Sequence, residues 1–464
     1  MKTYDIAIIG AGPGGYVCAI RAAQLGLKTA LIEKDAIGGT CLNRGCIPTK
    51  TLMHAANLYK EMKQASAYGL SANSTNFDIY KVNERKEAVT SRLVGGIEGL
   101  LKSNGVDVIR GEAFIPQTGI VQVGENQLKA KNIVIATGSS AAKLAIEGAE
   151  LTNVLTGEEM LMHNDKYYKR LLIIGGGVIG MEMASLYAAL DCEVTVLEFA
   201  DRILPAMDRE LAQGLSTSLK KRDVRIYTKA VAERIKQEGS MLKCTFTHKD
   251  REESLTFDGI IVATGRKANI DGIFDGSLGL KLVDGRIAVD ESQQTNFDGI
   301  YAIGDVCDGG MQLAHLASAQ GINAACAAAG YENEMDTTLV PSCLYTDPEI
   351  ASVGLTAEEA KARGIPFKSG KALMSANAKT VIETEERGFI KIIAHAETDR
   401  LLGAQLMCRR ATDLIGELAT AISAKMTYRD LGCIIHPHPT FSEAIVEALD
   451  DIDSWAIHTA PKRK

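Results

Sequence analysis

Short apolar runs that stop at a glycine and pass into helix-like periodicity occur twice along this chain. The first run, residues 4–9, stops at Gly10 and precedes a predicted helix that reaches Ala23, with a second strand predicted over 28–33. The same order returns about 165 residues later, with strands predicted over 170–174 and 193–198 and a helix ending near Leu190. The pattern predicts two homologous strand–helix–strand units in tandem.

Each unit carries three spaced glycines and an acidic residue that lies 23 positions after the first glycine. The first glycine suits a tight turn, the second lets the backbone approach a pyrophosphate, and the third lets helix and strand pack closely. The free N–H groups at the helix start attract the anion. We therefore predict one dinucleotide at each unit, with its ribose on the acidic residue: Gly10, Gly12, Gly15 and Glu33 in the first, and Gly175, Gly177, Gly180 and Glu198 in the second.

The rest of the chain shows a change of pattern after each unit. The units close alike, with Ile-Val-Ile-Ala-Thr-Gly at 133–138 and Ile-Ile-Val-Ala-Thr-Gly at 260–265. An alanine-rich helix is predicted over 313–329, and from Pro341 a mixed α+β domain, with strands at 388–393 and 401–406 and helices starting at Ala357, Ala411 and Ser442. We predict an α/β chain with two Rossmann-like dinucleotide-binding domains, a C-terminal α+β domain, and boundaries near 143, 269 and 340.

Composition narrows the function classes. The chain has 464 residues, a net charge of −7 and 23 % charged residues of both signs, which argues against nucleic-acid binding and a polybasic membrane patch. Neither a secretory signal nor an apolar stretch of about eighteen residues is visible in the sequence, so we expect a cytoplasmic location. Ten cysteines are too few for a disulfide scaffold.

Two of the cysteines, Cys41 and Cys46, stand out because they closely follow the first unit in a segment with Pro48 placed to start a helix. We expect a redox pair across one helical turn, with a helix N-terminus favouring the thiolate. A dinucleotide that touches sulfur chemistry suits a flavin, so we assign FAD to the first unit and a nicotinamide cofactor to the second. Glu198 favours NAD over NADP, and Arg202, which could receive a 2′-phosphate, is interpreted as a solvated surface charge.

A zinc site formed by Cys41, Cys46, His436 and His438 is the main alternative at these residues. Two histidines separated by a single proline, and a spacing of four residues between the cysteines, do not fit the usual zinc-ligand spacings. We predict no metal.

The segments 38–50 and 436–443 resemble active-site motifs of the dihydrolipoamide dehydrogenase branch of the flavin-dependent pyridine-nucleotide–disulfide oxidoreductases, and 295–305 and 345–354 also resemble that family. The first histidine of the His-Pro-His motif distinguishes this branch from the glutathione reductases. The resemblance implies that Cys41 exchanges with substrate, Cys46 faces the flavin as a charge-transfer thiolate, His438 is the general base, and Glu443 orients it.

The resemblance also implies the remaining contacts and partners. Residues 1–142 and 269–339 would bind FAD, 143–268 NAD, and 340–464 would form a homodimer in which the histidine reaches the partner's cysteines. The chain would reoxidise dihydrolipoyl groups on a protein of a 2-oxoacid dehydrogenase or glycine-cleavage complex. The further cofactor contacts implied are Lys34, Gly39, Thr40, Lys50, Thr137, Gly138, Glu182, Asp305, Ala314 and His315 for FAD, and Gly265 and Arg266 for NAD.

Two other functions stay open. One is another FAD-dependent disulfide reductase, acting on a low-molecular-weight thiol such as glutathione; mercuric reductases share the scaffold but end in a cysteine pair that residues 459–464 lack. The second is a non-catalytic binding module that keeps FAD for stability.

Overall fold

A mixed sheet lies at the centre of the first part of the chain, in a computed structural model that describes residues 1–71, 75–162, 166–274, 276–383 and 388–460. Its order is β3-β2-β1-β6-β5-β4, with β19 (Ile300–Ala302) parallel to β6. Alternate residues of β1 face two different cores, Ile6 and Ile8 on one side and Ala7 and Ile9 on the other, which explains the continuous apolar run. The elements here are β1 (Lys2–Ile9), α1 (Pro13–Gln24), β2 (Thr29–Glu33), α2 (Gly39–Arg44), α3 (Cys46–Lys63), α4 (Ile79–Ser103), β3 (Asp107–Arg110), β4 (Ala113–Gln117), β5 (Ile120–Val123), β6 (Asn126–Ile135) and β7 (Ser139–Ala141).

A second, five-stranded parallel sheet repeats this plan in the order β11-β10-β9-β15-β8. Its central strand β9 alternates in the same way between two cores. The elements are β8 (Val154–Thr156), α5 (Gly157–Met162), β9 (Arg170–Ile174), α6 (Val178–Ala189), β10 (Glu193–Glu198), α7 (Arg209–Lys220), β11 (Arg225–Thr228), β12 (Ala230–Glu238), β13 (Met241–His248), β14 (Arg251–Phe257), β15 (Gly259–Val262) and β16 (Arg266–Ala268), of which β12, β13 and β14 form a separate antiparallel sheet.

The chain then returns to the first sheet before it forms a C-terminal unit. Strand β19 pairs with β6, and the following helix α8 packs on α1. The elements are β17 (Leu282–Val283), β18 (Arg286–Ile287), β19 (Ile300–Ala302) and α8 (Ala314–Ala329), then β20 (Ser342–Leu344), β21 (Glu349–Gly354), α9 (Ala357–Ala362), β22 (Phe367–Leu373), α10 (Ala378–Glu383), β23 (Phe389–His395), β24 (Leu401–Cys408), α11 (Ala411–Ser423), α12 (Tyr428–Gly432) and α13 (Glu443–Asp450).

The C-terminal sheet is antiparallel, in the order β20-β21-β24-β23-β22, and shares a core with α11 and α13. The predicted fold class, two Rossmann-like units with a C-terminal α+β domain, is confirmed. Within the described residues, no helix is both long and apolar enough to cross a membrane.

Candidate active site

The first glycine loop leaves one open space against the start of helix α1. Gly10 has a φ of +103°, and a Cβ there would lie 2.4 Å from the carbonyl oxygen of Ala136. A Cβ on Gly15 would lie 1.8 Å from the carbonyl oxygen of Gly10, whereas a Cβ on Gly12 would meet no atom of the described residues within 4 Å. Helix α1 starts at Pro13, and no side chain of the described residues caps it. The loop therefore offers uncapped N–H groups beside a cradle that suits a pyrophosphate.

The second glycine loop has the same geometry. Gly175 has a φ of +113° and approaches the carbonyl oxygen of Ala263, which would lie 2.3 Å from a Cβ. Gly180 packs on Gly175 as Gly15 does on Gly10, and Gly177 faces open space. Both loops thus fit the dinucleotide that the sequence predicts at each.

The two acidic residues are buried and hold their own glycine loops. One carboxylate oxygen of Glu33 accepts a hydrogen bond from the amide of Ala11 at 2.7 Å, and one of Glu198 accepts from the amide of Gly176 at 2.6 Å. The other oxygen of each accepts from the amide two residues farther along. Because a carboxylate oxygen accepts two hydrogen bonds, both keep capacity for ribose hydroxyls. That contact stays a prediction.

The cysteine pair lies across a break between two helices, so the expectation that it spans one turn of a single helix is wrong. Cys41 belongs to α2 and Cys46 begins α3, and Gly45 between them has φ −139° and ψ −112°. A Cβ on Gly39 would lie 2.7 Å from the Cα of Gly12. The cysteine segment therefore packs directly against the first glycine loop, beside the proposed FAD cradle.

Both thiols are free, and their pKa values are shifted in opposite directions. The side-chain hydrogen bond from the Cys41 thiol, and next the positive charge of Lys50, lower the pKa of Cys46 to about 7 against the effect of burial. The same hydrogen bond and burial raise the pKa of Cys41. The arrangement favours a thiolate at Cys46 and a neutral thiol at Cys41 near neutral pH.

Lys50 and Glu182 form an ion pair that joins helices α3 and α6 across the two units. The Lys50 ammonium lies 3.0 and 2.8 Å from the carboxylate oxygens of Glu182, which is 5 % exposed. Tyr345 donates its amide to Glu182 at 3.1 Å, and its ring lies under the ammonium at 4.7 Å. Tyr345 lies in the segment 345–354, which resembles the family, but the sequence alone indicates no role for it.

Two of the other predicted contact residues, Asp305 and Arg266, belong to one polar network with Ser139 and Glu158. Asp305 accepts a hydrogen bond from Ser139, and the guanidinium of Arg266 lies 2.7 Å from the Ser139 hydroxyl, 2.6 Å from Glu158 and 3.7 Å from Asp305. Ser139, which directly follows the Thr-Gly motif, was missed. Elsewhere, the Thr137 hydroxyl donates to the Asn269 carbonyl, and Gly138 and Gly265 have positive φ. Lys34 forms an ion pair with Glu112, and His315 hydrogen-bonds the carbonyl of Pro341. Thr40 lies in α2 beside Gly39, and Ala314 begins α8.

The two histidines of the C-terminal motif each pair with a carboxylate. His438 Nδ1 lies 2.9 Å from Glu443, and its side chain is 72 % exposed. The second oxygen of Glu443 accepts from the Thr440 amide at 2.8 Å. Burial raises the pKa of Glu443, but the hydrogen bonds from Thr440 and His438 outweigh it and hold that pKa below its ordinary value. His436 instead pairs with Glu417 at 2.8 Å.

Within the described residues, the hydrogen-bond partners of His436 and His438 are Ile434, Glu417 and Glu443, and not the cysteines. Among the described residues, no group of three or more histidine, cysteine or acidic side chains is arranged to hold a metal ion. Arg202, interpreted as a solvated surface charge, is instead partly buried, with 24 % of its side chain exposed, and it pairs with Glu358 at 3.4 Å. The prediction of a fully solvated charge is therefore wrong.

Comparisons with known proteins place almost the whole chain in one protein family. The family model described as pyridine nucleotide-disulphide oxidoreductase matches residues 4–321, and the model for the dimerisation domain of those proteins matches 340–449. Dihydrolipoyl dehydrogenases of Bacillus subtilis (strain 168) and Thermus scotoductus are 40% and 41% identical to this chain, covering 98% and 99% of it and 99% of each relative.

Solved structures show the same arrangement. LpdA from Mycobacterium tuberculosis matches with a TM-score of 0.89 at 26% identity, covering 97% of this chain and 99% of that one. The HOCl-induced flavoprotein disulfide reductase RclA from Escherichia coli matches with a TM-score of 0.85 at 28% identity, covering 96% and 99%.

Proposed function

This chain belongs to the pyridine nucleotide-disulphide oxidoreductase family, and we propose that it is a dihydrolipoyl dehydrogenase that uses FAD and NAD. The observation that carries the proposal is the cysteine pair, in which a thiolate-favouring Cys46 and a neutral Cys41 lie on a segment whose Gly39 packs against Gly12 of the first glycine loop. Such a pair suits two-electron exchange with a dithiol substrate.

The cofactors would occupy the two glycine loops. Gly10, Gly12, Gly15 and Glu33 would hold FAD, which supplies a two-electron acceptor beside the thiols, and Gly175, Gly177, Gly180 and Glu198 would hold NAD. Residues 1–142 with 269–339 would then form the FAD-binding domain, 143–268 the NAD-binding domain and 340–464 the dimerisation domain. The Lys50 ammonium would keep Cys46 ionised.

In the thiol exchange, a dihydrolipoyl thiolate would attack the Cys41 sulfur of an oxidised Cys41–Cys46 pair and expel Cys46 as a thiolate. The second substrate thiolate would then attack the mixed disulfide, which releases the lipoyl disulfide and leaves Cys41 reduced. His438 would take the substrate proton, and Glu443 would orient the ring and stabilise the imidazolium that forms.

We propose that the working form is a homodimer, since the match to a dimerisation domain is accompanied by a His438 side chain that is 72 % exposed within one chain. The substrate would be a lipoyl-bearing protein of a 2-oxoacid dehydrogenase or glycine-cleavage complex. The ten cysteines, all free thiols, suit the reducing cytoplasm.

Steady-state turnover tests the proposal, with dihydrolipoamide or glutathione as thiol and NAD or NADP as nicotinamide cofactor. We expect turnover with dihydrolipoamide and NAD, at least about tenfold above every other combination. Cys46→Ser should abolish lipoamide turnover while flavin stays bound, and Cys433→Ser, at an exposed cysteine outside the pair, serves as the matched control. Preference for glutathione, or an active Cys46→Ser variant, would overturn the proposal.

A further inference from the structure

The loop after strand β10 holds an arginine in an internal contact. The Arg202 side chain is 24% exposed, and its Nη2 donates to the Pro205 carbonyl at 3.1 Å and lies 3.4 Å from Glu358. Its Nε is enclosed and has no hydrogen-bond partner in the part of the chain that the structure describes. The amide of Leu204 donates to the Gly176 carbonyl at 2.9 Å, so this loop is folded against the second glycine loop.

The carboxylate that engages Arg202 comes from the C-terminal unit, 156 residues away in sequence. Glu358 lies in the first turn of α9, which begins with a capping box formed by Thr356 and Glu359. Its second oxygen lies 3.4 Å from Nε of Arg209. One carboxylate thus pairs with both arginines that follow Glu198 closely in sequence.

These contacts bear on the difference between the two nicotinamide cofactors. NADP differs from NAD by a 2′-phosphate, which nucleotide-binding units of this type accommodate with an arginine near the ribose. A phosphate binds arginine through charge-assisted hydrogen bonds, and it competes with any carboxylate already on that arginine. Here the arginine is four residues after Glu198, and Glu358 already pairs with it.

We propose that Glu358 is a specificity-determining residue that excludes NADP by occupying Arg202 from the C-terminal unit. The inference rests on the proposed function, because it takes the second glycine loop as the nicotinamide nucleotide site. Discrimination would then depend on two carboxylates: Glu198 beside the ribose, and Glu358 on the arginine that a phosphate needs. Neither the ribose acid alone nor the arginine alone would set the preference.

Binding of 2′,5′-ADP and of 5′-AMP to the holoenzyme, measured by calorimetry, tests this without relying on turnover. Glu358→Gln should tighten 2′,5′-ADP relative to 5′-AMP by roughly fivefold, the upper end for a partly exposed charge pair. The double variant Glu358→Gln with Arg202→Gln should lose that gain, because the phosphate partner is gone. Glu397→Gln removes the same charge at an exposed turn of the same unit and should leave the ratio unchanged.

Three results would overturn the inference: an unchanged ratio in Glu358→Gln, a gain that persists without Arg202, or an equal gain in Glu397→Gln. If the unaltered enzyme binds neither nucleotide, the assignment of the second loop fails instead, which is a failure of the proposed function. A melting temperature for each variant separates loss of folding from loss of discrimination.

Discussion

The helix that follows the first glycine loop is covered, whereas the matching helix of the second unit is open at its start. A Cβ on Gly14 would lie 2.9 Å from the Ala317 carbonyl of α8, and one on Gly321 of α8 would lie 2.5 Å from the Gly14 carbonyl. At the position equivalent to Gly14, the second unit has Ile179, which is 37% exposed. Under the proposed assignment, the covered first loop would enclose a cofactor that stays bound, and the open second loop would admit one that exchanges.

The two units also differ in how the rest of the chain holds them. The first is joined to α8 by close packing of small residues. The second shares an apolar core with the C-terminal unit and is also joined to it by a buried charge cluster, in which Lys391 lies 2.8 Å from both Asp208 and Glu210 and is only 6% exposed. Burial lowers the pKa of Lys391, but hydrogen bonds to Asp208 and Glu210 outweigh it and raise that pKa.

The charged attachment predicts the largest effect. Lys391→Met should lower the free energy of unfolding by about 3–5 kcal/mol at pH 7, because Asp208 is left buried without its cation. Burial raises the pKa of Glu210, but hydrogen bonds from Lys371 and Lys391 outweigh it and lower that pKa. The loss should therefore shrink as the pH falls through this lowered pKa, because the protonated carboxylate no longer forms an ion pair with Lys391 in the unaltered protein. The opposite trend in urea denaturation across pH would contradict this.

A second variant separates charge from packing at the same place. Adding Asp208→Asn to Lys391→Met should recover much of the loss, since asparagine still caps helix α7, where Asp208 accepts from the Glu210 amide at 2.8 Å. A double variant no more stable than the single one would mean that the methylene packing of Lys391, and not its charge, holds the units together.

The close packing predicts the next effect. Gly14→Val should cost about 1–3 kcal/mol and reduce the flavin content of the purified protein, because the side chain meets the backbone of α8. Ile179→Ala, the matched change in the open unit, should shift stability by no more than about 0.5 kcal/mol and leave flavin content unchanged. Equal flavin contents in the two variants would remove the difference between the units.

The smallest effect is one of thiol reactivity. In the reduced enzyme, alkylation of Cys46 should be half-maximal near pH 7 and slow below it, where the thiol is protonated. Burial raises the pKa of Cys244, in the second unit, to about 12, so it should stay unlabelled in the folded protein. Lys50→Met should move the Cys46 midpoint to higher pH, and mass spectrometry of labelled peptides at each pH measures both.

Much of the fold could be predicted because strands that are buried on both sheet faces appear in the sequence as continuous apolar runs. The apolar runs before Gly10 and Gly175 become the central strands β1 and β9, and α9 and α11 start at the predicted residues. The sheet of β12, β13 and β14 went unpredicted, since its strands carry mixed polar residues such as Ala-Glu-Arg-Ile-Lys with no single clear period.

The candidate site was predictable where chemistry depends on local spacing, and not where it depends on distant contacts. The spacing of Cys41 and Cys46 gave no sign that Gly45 breaks the helix between them. The sequence predicted a surface charge at Arg202 because its partner, Glu358, lies 156 residues away in the chain. Contacts of that kind are set by how whole units pack, which no local pattern records.

Gly39 of the cysteine segment and Gly12 of the first glycine loop are in direct backbone contact, with no side chain between them. A shift of either backbone must therefore displace the other, because no flexible side chain separates them. We therefore expect release of the flavin and disorder of the cysteine pair to occur together. The apoprotein should lose its flavin colour and the selective reactivity of Cys46 at the same time.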